Sequence, residues 1–405
     1  MRRIGRSIGW VVSALAILIG ARGLLLLATT PAQDTEGWDA RTVAQLRFLS
    51  DDLDGHADAM QRLFPEGRAF TLALTGLGWT NLGIQDAAPR DLALANARHA
   101  LELAENSVSR QPFPRAGSLP NGIFYEAWTT RLRLGIAQLA GSNTTQAESD
   151  TLASSCLRLD LAYIRTPAFV DSYPGAAWPA DNVVGAAALA GCGALLDSAY
   201  TQTAQEWLIR AQAHEDPETG LLPHAAHSPQ ARGSSAALMI PFLAEIDSAY
   251  AQTQYERFLA AFETQMLGVL PAIREYPRSF EGTGDIDSGP IVLGAGAPAS
   301  VVGIAAARSV GDLETAQALR ASAERLGLAF TWNDQRRYLF GEMPVGDAFL
   351  AWASSVSPAR GEIETGAYSG WRGRWGLASA LGLLVGLGGG VWLWRRRAPR
   401  GTQSP

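Results

Sequence analysis

The chain has 405 residues, with 39 acidic against 33 basic side chains and a net charge of −6. Charged residues are 18% and hydrophobic residues 47%, which excludes a disordered tail and argues against a general nucleic-acid binder. Every basic residue is Arg and none is Lys, so P-loop, kinase-type and Schiff-base Lys chemistry are excluded.

The chain opens with Arg2, Arg3 and Arg6, followed by an apolar stretch over 8–29 that Arg22 interrupts. This length suits a signal-anchor helix; a cleaved signal peptide is the other reading. Apolar periodicity then predicts helices over 41–64, 70–82, 86–110, 122–139 and 151–164. Further helices are expected over 180–200, 203–213, 234–250, 255–270, 290–309, 313–326 and 345–355. The segment 329–340 is rich in β formers around Asn333-Asp334 and predicts a hairpin. No strand–helix alternation occurs, which disfavours a Rossmann or TIM-barrel fold.

Long connectors rich in Gly, Pro and polar residues recur at 165–179, 214–233 and 275–289. Connectors of that length in a compact domain are usually functional. If the helix pairs close into a ring, the connectors collect over its mouth. The expected fold is therefore mainly α: an (α/α) helical-hairpin barrel, or toroid.

The connector ending in Asp171-Ser-Tyr-Pro-Gly-Ala-Ala-Trp-Pro-Ala-Asp-Asn182 is the richest. Asp181 and Asn182 fall in the first turn of a helix, where a carboxylate suits the helix dipole. Capping alone accounts for one such residue. As a site, Tyr173 and Trp178 would be walls and Asp181 an acid or base. The next connector carries Asp216-Pro-Glu-Thr-Gly220, which a β-turn explains, and His224, which it does not. His224 could act as a general base. Arg232 could grip an anionic group, although an ordinary surface Arg is the commoner case, with Ser234 or Ser235 as a helix cap. Glu281, Asp285 and Asp287 place three carboxylates within seven residues, next to glycines that permit close backbone approach. An EF-hand is excluded because Gly296 stands where its Glu would be. The two Cys and five His make neither a four-Cys site nor an HExxH motif, so neither a metal nor another cofactor is expected.

The chain closes with 20 uncharged residues over 375–394, flanked by Arg372, Arg374 and Arg395 to Arg397. Trp371, Trp375, Trp392 and Trp394 lie where an aromatic belt would form. Gly382, Gly386 and Gly390 share one helical face, either as a packing surface for another helix or because Gly is common in membrane helices. The Arg-rich ends place both termini in the cytoplasm and the middle outside the cell membrane, on the extracytoplasmic (periplasmic) side. Cys156 and Cys192 would then lie in an oxidising compartment, as a disulfide or as two buried thiols. The expected organisation is a first span in 1–34, an extracytoplasmic barrel in 35–370, and a second span with a basic tail in 371–405.

The run Ser172-Tyr-Pro, Trp178-Pro-Ala-Asp181-Asn182 resembles the inner-helix motif of the linalool dehydratase/isomerase family. Phe124-Tyr125-Glu-Ala-Trp128 and the segment 231–247 are similar to stretches of the same family. The resemblance implies an (α/α) six-hairpin barrel with a central site. That family's motif carries two Cys nine residues apart, and Ser172 and Asp181 occupy those positions here.

The expected activity is thus an extracytoplasmic, membrane-anchored enzyme using acid–base chemistry on a small organic, terpenoid or sugar-like substrate. The resemblance suggests a lyase or hydratase. Asp181, Tyr173, His224, Asp285 and Asp287 are the candidate catalytic residues. Ser172, Trp178, Asn182, Tyr125, Trp128, Arg232 and Glu281 are the candidate binding residues. Glycoside hydrolysis needs paired carboxylates and is the rival reaction. A non-catalytic module binding a glycan, lipid or partner is the other alternative. Expected partners are the lipid bilayer and a small-molecule substrate, and no nucleic acid.

Overall fold

The structure is a computed structural model that describes residues 2–29, 39–85, 90–285, 288–361, 363 and 365–395. The helices run α1 (Arg2–Thr29), α2 (Ala40–Asp51), α3 (Leu53–Gln61), α4 (Gly67–Gln85), α5 (Arg90–Ala104) and the single turn α6 (Ser107–Arg110). Then come α7 (Gly122–Ala140), α8 (Gln146–Arg165), α9 (Pro179–Leu195), α10 (Ala199–Gln212), α11 (Gly233–Ile246) and α12 (Ser248–Phe262). The last four are α13 (Ala297–Val310), α14 (Leu313–Leu326), α15 (Pro344–Ser355) and α16 (Trp371–Arg395). The chain divides into two units.

The larger unit holds α2 to α15 and is a closed ring of helical hairpins. Helix α4 packs on α7, α7 on α9, α9 on α11, α11 on α13, α13 on α15, and α15 returns to α4. Outside this inner ring, α5, α8, α10, α12 and α14 cover α4, α7, α9, α11 and α13, while α2 covers α15. The architecture is the expected (α/α) barrel.

In two helices the sequence pattern matches the layer. Helix α9 is rich in Ala, Gly and Val and is buried from Pro179 to Ala190 without a break. A helix apolar all round belongs inside. Helix α12 buries Ala251, Gln254, Tyr255, Phe258, Leu259 and Phe262, one stripe at three- and four-residue spacing, so it lies outside. A Cβ at Gly185 would come within 2.4 Å of the Tyr163 Oη, so glycine lets α8 approach α9 there. The Cys156–Cys192 disulfide ties the same two helices together.

Several predicted helix bounds shift. The segment 41–64 breaks at Asp52, which leaves helical geometry (φ −140°) and accepts from the Gly55 N–H at the start of α3. Residues 86–89 lie outside the described residues. The helix expected over 180–200 ends at Leu195, and Asp247 divides the one expected over 234–250 by capping α12. The helix expected over 255–270 ends at Phe262 and gives way to strands β1 (Glu263–Met266) and β2 (Leu270–Ile273). The one expected over 290–309 begins instead with strands β3 (Ile291–Val292) and β4 (Ala295–Gly296). Leu293 and Gly294 turn between them at φ 54° and 80°, which no right-handed helix allows. The hairpin around Asn333-Asp334 forms as β5 (Phe330–Trp332) and β6 (Gln335–Arg337).

All the long connectors lead into the N-terminal ends of inner helices, so they gather at one end of the barrel. Backbone bonds join neighbouring parts of this rim: Ile123 N–H to Asp171 O at 2.9 Å, Ala226 N–H to Ala177 O at 3.0 Å, and Gly233 N–H to Glu275 O at 2.9 Å. The opposite end has shorter turns, such as Asp247 alone between α11 and α12. Aromatic side chains fill the lumen between the two ends. Phe70 meets Phe124 at 4.9 Å and Trp128 at 5.4 Å, and Trp128 meets Phe242 at 5.6 Å.

The smaller unit pairs α1 with α16, together with the turn Gln265–Pro271. Residues 7–29 and 371–395 have mean hydropathies of 2.3 and 1.7 and are long and apolar enough to cross a membrane. The pairing is antiparallel: a Cβ at Gly9 would touch Leu393, and one at Gly20 would lie 2.6 Å from Ser379 O. Both helices therefore have their outer chain ends on one side. At Gly386 a Cβ would come within 2.8 Å of the Ser13 carbonyl. At Gly382 and Gly390 the nearest atoms would be 3.9 and 3.8 Å away, ordinary contact distances.

Candidate active site at the connector mouth

Helix α9 begins with Pro179, whose missing N–H costs nothing at a helix start. That start fixes Asp181 on the first turn. The preceding connector makes a tight turn closed by the Tyr173–Ala176 bridge, and returns Ser172 to the helix end. The Ser172 hydroxyl donates to Asp181 Oδ2 at 2.6 Å and accepts from the Trp178 N–H at 3.3 Å. Ser172 and Asp181 are both buried.

The next residue serves a second carboxylate. The Tyr173 hydroxyl donates to Glu66, which immediately precedes α4. The Tyr173 ring packs edge-on against Trp178 at 5.9 Å. Two hydroxyl–carboxylate pairs, Ser172–Asp181 and Tyr173–Glu66, thus arise from adjacent residues and bridge the starts of α9 and α4. Asn182 braces the connector, because its amide accepts from Val170 N–H at 2.8 Å and donates to Val170 O at 3.0 Å.

A second polar group lies on the rim around Arg232, just before α11. Its Nη1 and Nη2 donate to Asp285 at 2.7 and 3.1 Å, and its Nε to Glu275 at 2.9 Å. Its guanidinium also lies 5.2 Å from the Tyr276 ring centre. Burial works against the Arg232 charge, but Asp285 and Glu275 raise its pKa. Burial likewise pushes Asp285 up, yet the Arg232 and Ser288 donors hold its carboxyl well below the usual carboxylate range. Glu275 is wholly buried, and there burial prevails over Ser234 and Arg232 and raises its pKa.

His224 is held between two partners. Its Nδ1 lies 2.6 Å from Ser235 Oγ and its Nε2 lies 3.4 Å from Arg232 Nη1. Arginine only donates, so Nε2 is the acceptor and Nδ1 carries the hydrogen. Burial, and then the Arg232 charge, lower the His224 pKa to about 4. The imidazole is neutral at pH 7.

The fold therefore gathers Ser172, Tyr173, Trp178, Asp181 and Asn182 into one group. It gathers His224, Arg232 and Asp285 into another, and the Ala226–Ala177 backbone bond joins their connectors. Tyr125 is buried against the outer helix α5, where its hydroxyl donates to Ala104 O at 2.9 Å. Trp128 is part of the lumen packing. Glu281 is exposed on its connector, and Asp287 lies outside the described residues. Sequence reasoning passed over Glu66 and Glu275, and it read Ser234 or Ser235 as a helix cap, whereas Ser235 meets His224 and Ser234 donates to Glu275. Glu66 has a local signal, since Pro65-Glu66-Gly67 is a carboxylate at a helix start, as Asp181 is. Among the described residues, no three His, Cys, Asp or Glu side chains cluster to hold a metal ion.

No family model matches this sequence, and no curated protein matches it either. Among solved structures, a polysaccharide lyase is similar at 11% identity and a TM-score of 0.45, over 75% of this chain and 97% of that one.

Proposed function

We propose that this protein is a membrane-anchored extracytoplasmic enzyme that adds water to, or removes it from, a small organic molecule at the connector mouth. The carrying observation is the 2.6 Å bond between Ser172 and Asp181. These residues occupy the positions of the two thiols in the linalool dehydratase/isomerase motif, so the resemblance favours an unsaturated, terpenoid-like alcohol.

The chemistry divides between the two hydroxyl–carboxylate pairs. In dehydration the Tyr173 hydroxyl turns its hydrogen from Glu66 to the leaving hydroxyl and gives it that proton. The C–O bond breaks and water departs. Asp181, oriented by Ser172, takes the proton from the neighbouring carbon as the double bond forms. Hydration runs the same steps in reverse. Trp178 and the Tyr173 ring supply apolar walls for the hydrocarbon part. Arg232, neutralised by Asp285 and Glu275, braces the rim and leaves the site suited to an uncharged substrate.

The disulfide supports an oxidising location. The antiparallel pair α1 and α16 supports two spans that leave both Arg-rich ends on one side.

The test uses the full chain in detergent, a panel of tertiary allylic alcohols and water labelled with oxygen-18. Reversible dehydration exchanges the alcohol oxygen with solvent, which mass spectrometry reads. Exchange by the wild type that falls by about 10²–10⁴-fold in Asp181→Asn supports the reading. No exchange across the panel, or full exchange in Asp181→Asn, overturns it.

A further inference from the structure

One sector of the connector rim exposes apolar side chains. The segment 327–343 leads into α15 and carries the β5–β6 hairpin, on which Trp332 is 68% exposed; beyond it Phe340 is 65% exposed. Phe330 and Trp332 share one face of the hairpin, because alternate residues of a strand point the same way. The Phe330 ring centre lies 6.0 Å from that of Phe340. Leu328 and Leu339 are both exposed, and the Leu339 N–H donates to Gly327 O at 2.7 Å, which brings the two together. The stretch before the neighbouring inner helix α13 exposes Phe280, Val292 and Leu293. By contrast, the described residues of connectors 165–179 and 214–233 expose no large apolar side chain.

Local geometry does not account for this exposure. Leu339 and Phe340 have φ of 45° and 63°, a region that bulky side chains rarely adopt. Unfavourable backbone thus holds two apolar side chains toward solvent, and such strain clusters at functional places. Contiguous exposed apolar surface marks a ligand, protein or membrane contact. Chemistry separates these. Exposed Leu326, Leu328, Leu339 and Met343 flank the aromatics in the chain, whereas a sugar platform needs polar side chains to orient hydroxyls. Over 328–343, Arg336 and Arg337 balance Asp334 and Glu342, so the segment offers no net charge to a charged partner. Trp, Phe and Leu together suit the interfacial layer of a bilayer. A bilayer is also close at hand. Ala40 at the start of α2 follows Thr29 at the end of α1 by eleven positions, a reach of at most about 40 Å. So short a tether keeps the membrane surface at high effective concentration.

We infer that this sector of the mouth rim, centred on Phe330, Trp332, Leu339 and Phe340, enters the interfacial layer of the bilayer that α1 and α16 cross. Attachment is through apolar surface, so it needs neither anionic lipid nor low salt. The inference rests on reading α1 and α16 as membrane spans, and not on the dehydration chemistry at Asp181.

The test uses the full chain in phosphatidylcholine vesicles. Both cysteines are held in the disulfide, so Trp332→Cys, Phe340→Cys and the control Glu218→Cys each supply a single free thiol. Glu218 is exposed on the polar connector 214–233. A nitroxide on that thiol reports collisions with oxygen, which concentrates in lipid, and with a nickel chelate, which stays in water. At positions 332 and 340 oxygen accessibility should exceed that of the chelate several-fold, at low and at high salt alike. At position 218 the order should reverse. Chelate-dominated collisions at 332 and 340, or few collisions with either reagent, overturn the surface; a chain that stays with the vesicles through a carbonate wash then leaves the spans standing. Release of the chain in that wash overturns the span reading and the surface with it. A water-accessible label that becomes protected on adding laminarin or cello-oligosaccharides would assign the patch to a glycan and overturn the bilayer contact.

Discussion

Ser172 and Asp181 stand nine residues apart in the chain, and the Ser172 hydroxyl reaches the Asp181 carboxylate at 2.6 Å in a buried setting. A hydrogen bond to a charged acceptor contributes more than a neutral one, about 1.5–3 kcal/mol. Removing either side chain therefore changes the contribution of the other. A double-mutant cycle of Ser172→Ala and Asp181→Ala, followed by denaturant unfolding, should return a coupling of about 1.5–3 kcal/mol. Additive effects would show that the two side chains do not act as a pair.

The disulfide closes a loop across 36 residues between an outer and an inner helix. Chain-entropy reasoning gives it about 3–4 kcal/mol. Reduction, or the double change Cys156→Ser with Cys192→Ser, should lower the unfolding midpoint of the barrel by a matching amount. Identical melting curves with and without reductant would show that the link contributes nothing.

Asp347 lies buried at the start of α15, where it accepts from Gln45 Nε2 at 2.9 Å and from the Tyr338 N–H at 3.2 Å. Burial outweighs these donors and raises its pKa from 3.8 to about 7. Between these two values the folded chain keeps a proton that the unfolded chain has lost. Stability contributed by the neutral acid is thus full below pH 4 and lost as pH rises toward 7. Asp347→Asn stays neutral, so its stability relative to wild type should rise by on the order of a few kcal/mol from pH 4 to pH 8. A pH-independent difference between the two proteins would contradict the shift.

Gly386 permits close packing of α16 against α1, because a Cβ there would meet Ile17 and Ser13 at 2.7–2.8 Å. Gly388 faces open space, with nothing within 4 Å of its Cβ position. Cysteines introduced by Ala16→Cys and Gly382→Cys should cross-link readily in the parent chain. Gly386→Leu should reduce that cross-link sharply, while Gly388→Leu should leave it intact. Equal losses in both would show that bulk alone, and not this contact, matters.

Helix existence was legible because it is a local property. The all-apolar face of α9 and the single stripe of α12 are both visible in the one-dimensional pattern, as are the two terminal apolar segments. The connectors were legible too, since Gly and Pro mark them. The strands β3 and β4 were not. Their residues read as the opening of a helix, and it is the pairing of Ile291 with Gly296 that holds Leu293 at positive φ. Tertiary pairing overrode a weak local preference there.

The candidate site divides in the same way. Ser172, Tyr173, Trp178, Asp181 and Asn182 were found together because one connector and one helix start carry them all. Glu66 was not, because it lies 107 residues from Tyr173 and meets it only when the ring closes. Arg232 read either as a grip for an anionic group or as a surface side chain, whereas the folded chain buries it and commits it to Asp285 and Glu275, 53 and 43 residues away. The sequence by itself determined that the chain is mainly helical, where most of the helices lie and that its ends are of membrane length, because each follows from the pattern of neighbouring residues. Only the tertiary structure decided which carboxylate serves which hydroxyl and which cation is already neutralised. Those pairings depend on distances across the barrel, and a linear pattern contains no such distances.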